Sequence, residues 1–187
     1  MSVNSRQDDT AALLSAWSER VVDIPERGLE ASRVATAQER AEIAKSLGLL
    51  GCEKLSATYR ILAMSGARYR LAGEFQAYIS QPCVITLAPV EAEIVEKIEE
   101  EFWPPELVPL PKRGEAEEQE ALAAGIAPEM IRQGHIEVGR IVFEQLATAL
   151  NPYPRAEGAA FSGPHSSADS GVADNPFAAL QRLKDKT

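Results

Sequence analysis

The run Leu55-Ser56-Ala57-Thr58-Tyr59-Arg60-Ile61-Leu62-Ala63 alternates apolar with mostly polar side chains, and a second alternating run follows it from Arg68 to Ser80. This period of two is typical of half-buried β-strands. The apolar residues of both runs have odd numbers, so they share a face only if the connecting loop has an odd number of residues. Ser65-Gly66-Ala67 meets this condition, and Gly66 is free to adopt positive φ. The sequence therefore predicts an antiparallel hairpin over 55–80 that is apolar on one face.

The other face of this hairpin carries Arg60, Arg68 and Arg70 close together. Arginine side chains contact nucleic-acid phosphates, which makes the three residues a candidate RNA contact. They are also typical of a solvated sheet face. We favour the solvated face, because binding to a phosphate backbone needs several cooperating cations.

Helix and strand signals flank the hairpin on both sides. A first strand is predicted from Ala16 to Ile24. Thr36 and Glu39 form a capping box that opens a helix ending at Gly48, with an apolar stripe of Ala37, Ala41, Ala44 and Leu47. A later helix is predicted from Val138 to Leu150, with Ile141, Val142, Leu146 and Leu150 on one stripe. The stretch 90–103 fits strand and helix periods almost equally well, so both remain open.

These elements indicate an α+β fold with a mainly antiparallel sheet and two or three packed helices. We expect a flexible N-terminus over 1–14, one domain over 15–155, a flexible linker rich in Gly, Ser and Ala over 156–174, and a short amphipathic helix over 175–187. A helix this short is marginal alone in water. Its apolar residues are therefore candidates for docking on a partner, and these are Phe177, Leu180 and Leu183.

Composition points to a soluble protein in the cytoplasm. Of the 187 residues, 45% are hydrophobic and 25% charged, which is close to the average for globular domains. The polar, acidic start does not resemble a secretory signal, and no apolar run is long enough to cross a bilayer. Cys52 and Cys83 lack a short metal-binding spacing, and we expect both to be reduced, part-buried thiols.

The net charge of −9 is concentrated in one stretch. From Glu91 to Glu120 there are eleven acidic and three basic residues, whereas the rest of the chain has a balance of −1. Such a stretch repels phosphate backbones and attracts basic proteins. Any contact with nucleic acid should therefore lie elsewhere on the molecule.

The sequence shows no catalytic constellation, no cofactor motif and no recognisable metal site. It has neither a glycine-rich phosphate loop nor a nucleophile elbow, and its two histidines, His135 and His165, have no partner nucleophile. One alternative is a metal-dependent hydrolase or nuclease that uses the glutamates between Glu91 and Glu101. Glutamates this dense more often form a solvated face, so we expect a protein that is not an enzyme.

Four stretches in fixed order resemble the bacterial YceD family, also called large ribosomal RNA subunit accumulation proteins. They are the run from Gln81 to Val90, the run from Gly134 to Gly139 followed by Glu144-Gln145-Leu146 and Leu150, then Asn151-Pro152-Tyr153-Pro154-Arg155, and last Asn175 to Leu180. Together the resemblance covers roughly Val21 to the C-terminus. Many relatives have a second cysteine where Thr86 stands and further cysteines near 151–155, so zinc should not be inferred for this chain.

The resemblance implies a role in the synthesis, processing or stability of 23S ribosomal RNA, and it supplies no catalytic residues. With the charge distribution, it leads us to expect a ribosomal protein or a large-subunit precursor as the partner, with any RNA contact indirect or shared. A second interpretation is an acidic adaptor for a basic protein unrelated to ribosomes.

Overall fold

The structure, a computed structural model, describes residues 13–108 and 128–160 and shows an α+β fold. The domain described below lies within a unit that ends at Ala156. Its strands are β1 (Glu19–Arg20), β2 (Leu29–Val34), β3 (Gly51–Ala63), β4 (Tyr69–Pro82), β5 (Pro89–Trp103), β6 (Glu129–Met130) and β7 (His135–Ile136). Its helices are α1 (Ala37–Leu47) and α2 (Val138–Ala149), with a 3-10 turn at Val21–Asp23.

The main sheet has five strands in the order β2-β3-β4-β5-β6. All neighbours are antiparallel except β5 and β6, which run parallel. A second sheet consists only of β1 and β7. Glu19 of β1 links the two sheets, because it accepts hydrogen bonds from the Tyr59 hydroxyl at 2.6 Å and from Arg33 at 2.7 Å. Burial and the bond to Glu19 raise the pKa of Tyr59 to about 12.

The predicted hairpin is confirmed and extends beyond its predicted ends. Leu55 pairs with Ala77 and Ile61 with Leu71, as the odd-residue loop requires. Gly66 has φ 74° in that loop. The odd-numbered apolar residues of both strands form the core, and those under 4% exposed are Leu55, Ala57, Tyr59, Ile61, Leu71, Phe75, Ala77 and Ile79.

Both helices are confirmed and pack on this core face. The Thr36 side chain accepts from the Glu39 N–H, the Glu39 carboxylate accepts from the Thr36 N–H, and Gly48 ends α1 with φ 66°. The predicted stripe of α1 is partly wrong, because Ala37 and Ala41 are exposed and Ile43 is fully buried instead. In α2 the stripe holds, since Ile141, Val142 and Leu146 are all buried.

The predicted first strand over 16–24 is wrong. Leu14 and Trp17 are buried and joined by a turn, with Trp17 N donating to Leu14 O at 2.8 Å, and only Glu19–Arg20 is strand. The sequence analysis missed β2, whose alternation is disguised. Arg33 lies at a core-facing position, where it reaches Glu19 and Tyr59, while Val34 on the other face is 70% exposed.

The stretch over 90–103, left open between strand and helix, is strand. Ile94, Ile98 and Phe102 are buried and fit both periods, but β4 pairs with β5 along the whole of its length. This pairing overrides the helix propensity of the glutamates. The predicted linker over 156–174 lies largely outside the described residues, and the helix over 175–187 does so entirely. Of the predicted flexible start over 1–14, only Leu13 and Leu14 are described, and Leu14 is buried.

Candidate binding face

One face of the five-stranded sheet carries no helix among the described residues, because α1 and α2 both contribute to the core on the opposite face. Strand register decides which side chains reach this open face. On β2, β3 and β4 these side chains come from even-numbered positions. On β5 they come from odd-numbered positions, because each even-numbered residue of β4 pairs with an odd-numbered residue of β5. Arg60, Arg70 and the acidic residues of β5 therefore share one surface.

The three arginines proposed for RNA contact each have a local partner on this surface. Arg60 lies 3.6 Å from a carboxylate oxygen of Glu30, and Arg70 lies 3.4 Å from one of Glu101. Arg68 stacks over the ring of Trp103, with 5.2 Å between the guanidinium carbon and the ring centroid. The charges of Arg60 and Arg70 are therefore partly balanced, although all three arginines retain solvent-accessible surface.

β5 divides its glutamates between the two sides of the sheet. Glu96 and Glu100 lie on the side of the core, where Glu96 is exposed and Glu100 is half-buried. Burial, followed by the charge of Glu129, raises the pKa of Glu100. The open face receives Glu91, Glu93, Glu99 and Glu101, which we name the acidic row.

A polar network crosses three strands beside the acidic row. Lys54 donates to the Gln76 side chain at 2.7 Å, and Gln76 donates to Glu93 at 2.5 Å. Hydrogen bonds from Tyr78 and then from Gln76 lower the pKa of Glu93. Glu93 is thus stabilised as an anion on an exposed surface.

The alternation of β5 does not bring its glutamates together around a cation. Within 13–108 and 128–160, no group of three His, Cys, Asp or Glu side chains is placed to hold a metal ion. Successive open-face residues of a strand are spaced along it rather than converging. The geometry that a two-metal or carboxylate-held hydrolase needs is therefore not formed by the described glutamates.

A second feature lies at the end of β4, where two of the family-like stretches meet. Val84 N donates to Pro154 O at 2.8 Å, and the buried Gln81 side chain donates to Asn151 O at 3.0 Å. The sulfur of Cys83, which has no exposed surface, accepts from the N–H groups of Ala156, Ile85 and Thr86 at 3.3–3.5 Å. These bonds, with that of Ala156 the largest contribution, lower the pKa of Cys83 to about 6.

The sequence analysis did not predict this arrangement of donors. The only signal was the turn-like run between Cys83 and Pro89, and nothing local indicates that 151–156 returns to it. Both cysteines are free; Cys52 is half-buried as predicted, whereas Cys83 is fully buried and not part-buried.

His135 lies in β7, and its Nδ1 is 3.1 Å from Ser18 Oγ, a pairing that the sequence analysis did not foresee. Among the described residues no carboxylate bonds to the other ring nitrogen, so a serine–histidine–acid relay is not formed there. The docking candidates Phe177, Leu180 and Leu183 lie outside the described residues, as does His165.

None of the helices in the described part of the chain is long and apolar enough to cross a membrane. Comparison of the chain with family models, with curated proteins and with solved structures finds no match in any of the three.

Proposed function

We propose that this protein is a non-enzymatic, cytoplasmic factor of large-subunit ribosome biogenesis that supports the synthesis, processing or stability of 23S ribosomal RNA. The proposal joins the resemblance to the YceD family with the charge distribution. It is supported by the meeting of two family-like stretches, in which Val84 bonds to Pro154 and Gln81 to Asn151. Two stretches that form one local structure support the resemblance to the family more strongly than two isolated short motifs would.

The observation that carries the proposal is the acidic row on an open sheet face. Glu91, Glu93 and Glu99 are exposed there, and no helix of the described residues shields them. Exposed charges of one sign attract a partner of the opposite sign over a Debye length of about 8 Å at physiological salt. The partner that this surface fits best is a basic ribosomal protein, held before or during its incorporation into the large-subunit precursor.

Direct binding of ribosomal RNA fits the surface less well. Glu30 and Glu101 lie beside Arg60 and Arg70, and the acidic row occupies the same face. Phosphates would meet these carboxylates together with the arginines, and binding to a phosphate backbone requires a net excess of cations. We therefore expect RNA to be affected through the bound protein.

The same acidic row also fits an adaptor for a basic protein unrelated to ribosomes. Pull-down of the tagged chain from growing cells, followed by identification of the bound proteins, separates the two functions. Enrichment of large-subunit ribosomal proteins supports the assembly factor. Recovery of only unrelated basic proteins supports the adaptor.

The proposed function is tested by replacing the gene with variants. Deletion should lower the ratio of 23S to 16S ribosomal RNA, and the triple variant E91Q/E93Q/E99Q should restore the ratio less well than the unmodified gene. The matched control D23N/E26Q/E42Q removes the same number of exposed charges outside β5 and outside the acidic stretch, and it should restore the ratio fully. An unchanged ratio after deletion would contradict the proposal.

A further inference from the structure

β5 forms a long edge of the main sheet. It spans Pro89–Trp103 and pairs with β4 from Pro89 to Phe102, but on its other side β6 pairs only with Phe102 and Trp103. In 13–108 and 128–160 no other strand pairs with that side. Residues 90–101 therefore present an edge that is about 40 Å long at the usual rise per residue.

A hydrogen bond from the residue after β6 to the end of β5 shows which main-chain groups of β5 point outward. Ile131 N donates to Trp103 O at 2.9 Å, so the carbonyl of Trp103 faces away from β4. Main-chain groups of successive strand residues point to opposite edges, and the β4–β5 register has no shift. The outward N–H and C=O groups therefore belong to Glu91, Glu93, Val95, Lys97, Glu99 and Glu101.

Side chains do not obstruct this edge. The residues around its centre, Val95, Glu96 and Lys97, are all exposed, and Val95 has 49% of its surface accessible. Between Glu91 and Glu101 the strand carries six glutamates and one lysine, a net charge of −5. An exposed edge of this length pairs readily with another extended segment unless charge opposes it.

Charge decides between the candidate occupants. A second copy of β5 would place glutamates opposite glutamates, which is destabilising for directly opposed residues. Residues 109–127 of the same chain carry four glutamates against one lysine and one arginine, together with two prolines, so their charge and composition are also unfavourable. A lysine- and arginine-rich segment has the complementary charge.

We propose that the outer edge of β5 receives an extended basic segment of a partner protein as an added strand. This deepens the proposed function and rests on it for the identity of the partner as a basic protein. Main-chain hydrogen bonds to the outward groups would hold the segment. Its cations would lie on the open face opposite the acidic row.

The direct test is residue-resolved amide hydrogen exchange by NMR, using as probe an alternating Lys–Val peptide of about eleven residues, enough to cover the edge. In the free protein the amides of Glu93, Val95 and Lys97 should exchange quickly, whereas those of Ile94 and Glu96 are protected by β4. At saturating peptide the odd-numbered amides should be slowed about tenfold or more, as expected for groups that enter a ladder. A Lys–Val peptide that is N-methylated at every main-chain nitrogen has the same charge but no N–H to donate, and it should give no such protection.

A substitution in the protein provides a second measurement. Val95→Pro removes one outward N–H without changing charge, and proline is tolerated on an edge strand when its nitrogen faces solvent. It should weaken binding of the Lys–Val peptide about tenfold, through the lost hydrogen bond and the ring at the pairing edge. Val95→Thr retains the N–H and should bind as the unmodified protein does. The amide exchange of the unmodified protein decides the matter if Val95→Pro does not fold.

Three results would overturn the added strand. They are fast odd-numbered amides in the peptide complex, equal protection by the N-methylated peptide, and odd-numbered amides already protected in the free protein at every concentration. If the peptide binds and E91Q/E93Q/E99Q weakens it, but no amide is protected, the acidic row remains a binding surface and only the strand pairing is wrong. The ratio of 23S to 16S ribosomal RNA tests the proposed function separately.

Discussion

Cys83 shows how much a single side chain depends on its neighbours. Its sulfur accepts hydrogen bonds from three main-chain N–H groups. Two belong to Ile85 and Thr86 in the loop after β4, and the third belongs to Ala156, which follows α2. Three donors on one sulfur favour the thiolate and lower the pKa to about 6, compared with about 8.5 for a free thiol. The Cys83 sulfur thus joins the loop after β4 to the chain that follows α2.

This arrangement predicts a pH-dependent contribution to stability. Because the folded-state pKa lies below the unfolded one, the contribution is fully present above about pH 8.5 and is lost as the pH falls through about 6. The difference in melting temperature between the reduced protein and Cys83→Ser should therefore grow from pH 6 to 8.5. Burial raises the pKa of Cys52, so the difference for Cys52→Ser should not grow but should shrink slightly as the pH approaches 8.5. A constant difference for Cys83→Ser would show that the sulfur stays neutral.

At the scale of an element, β4 carries one residue whose lack of a side chain is required. Gly73 pairs with Tyr59 on one side and Ile98 on the other. A methyl group at Gly73 would lie 2.7 Å from the Tyr59 Cα and Cβ. The central strand therefore accommodates the tyrosine backbone by leaving this position open.

Gly73→Ala should lower the free energy of unfolding by about 1–3 kcal/mol, the usual cost of overpacking a well-packed interior. The measurement is chemical denaturation with the midpoint and slope fitted together. Gly51→Ala is the matched control in β3, because a methyl group there meets no atom within 4 Å. A similar loss for both variants would indicate that strand propensity, and not the contact with Tyr59, determines the effect.

The elements also show where prediction from sequence succeeds. The hairpin was predictable because Leu55, Ile61 and Leu71 obey a period that only one register satisfies, and α1 because Thr36 and Glu39 cap it locally. β2 was not predictable, because it has a charged residue, Arg33, at a core-facing position. Arg33 is accommodated there only by its hydrogen bonds to Glu19 and Tyr59, which lie elsewhere in the sequence. β5 required its neighbour, because Ile94, Ile98 and Phe102 suit either structure until β4 pairs with them.

For the candidate site, the sequence identified the residue types but not the side chains that lie next to them in the fold. It predicted a shared face for Arg60 and Arg70, yet the carboxylates of Glu30 and Glu101 that balance them come from other strands. It identified the acidic stretch, but only the strand pairing shows that β5 is an edge over most of its length. Because side chains alternate between the two faces of a strand, β5 places Glu96 and Glu100 on one side of the sheet and the acidic row on the other.

For the domain as a whole, distant parts of the chain are joined around α2. Gly139 N donates to Trp17 O at 2.9 Å, and β7 pairs with β1. Arg140, whose side chain is 9% exposed, bonds to three carboxylates, those of Glu129 in β6, Glu137 and Glu144. One guanidinium thus neutralises anions before β7, at the start of α2 and one turn along it.

Removing this cation should destabilise the entire domain. Arg140→Leu keeps much of the packing but leaves three carboxylates facing one another, and removing one partner of a buried ion pair is strongly unfavourable. Because these carboxylates retain 29–48% of their side-chain surface, water offsets part of the cost, and we expect a loss of about 2–3 kcal/mol. For a domain of this size that lowers the melting temperature by roughly 5–10 °C.

Arg132→Leu is the control, because Arg132 makes a much weaker ion pair. Its side chain is 55% exposed and lies as far as 4.0 Å from Glu137, so the substitution should cost under about 0.5 kcal/mol. Equal effects of the two variants would mean that the carboxylates around Arg140 are satisfied by solvent, and that apolar packing alone holds α2 on the sheet.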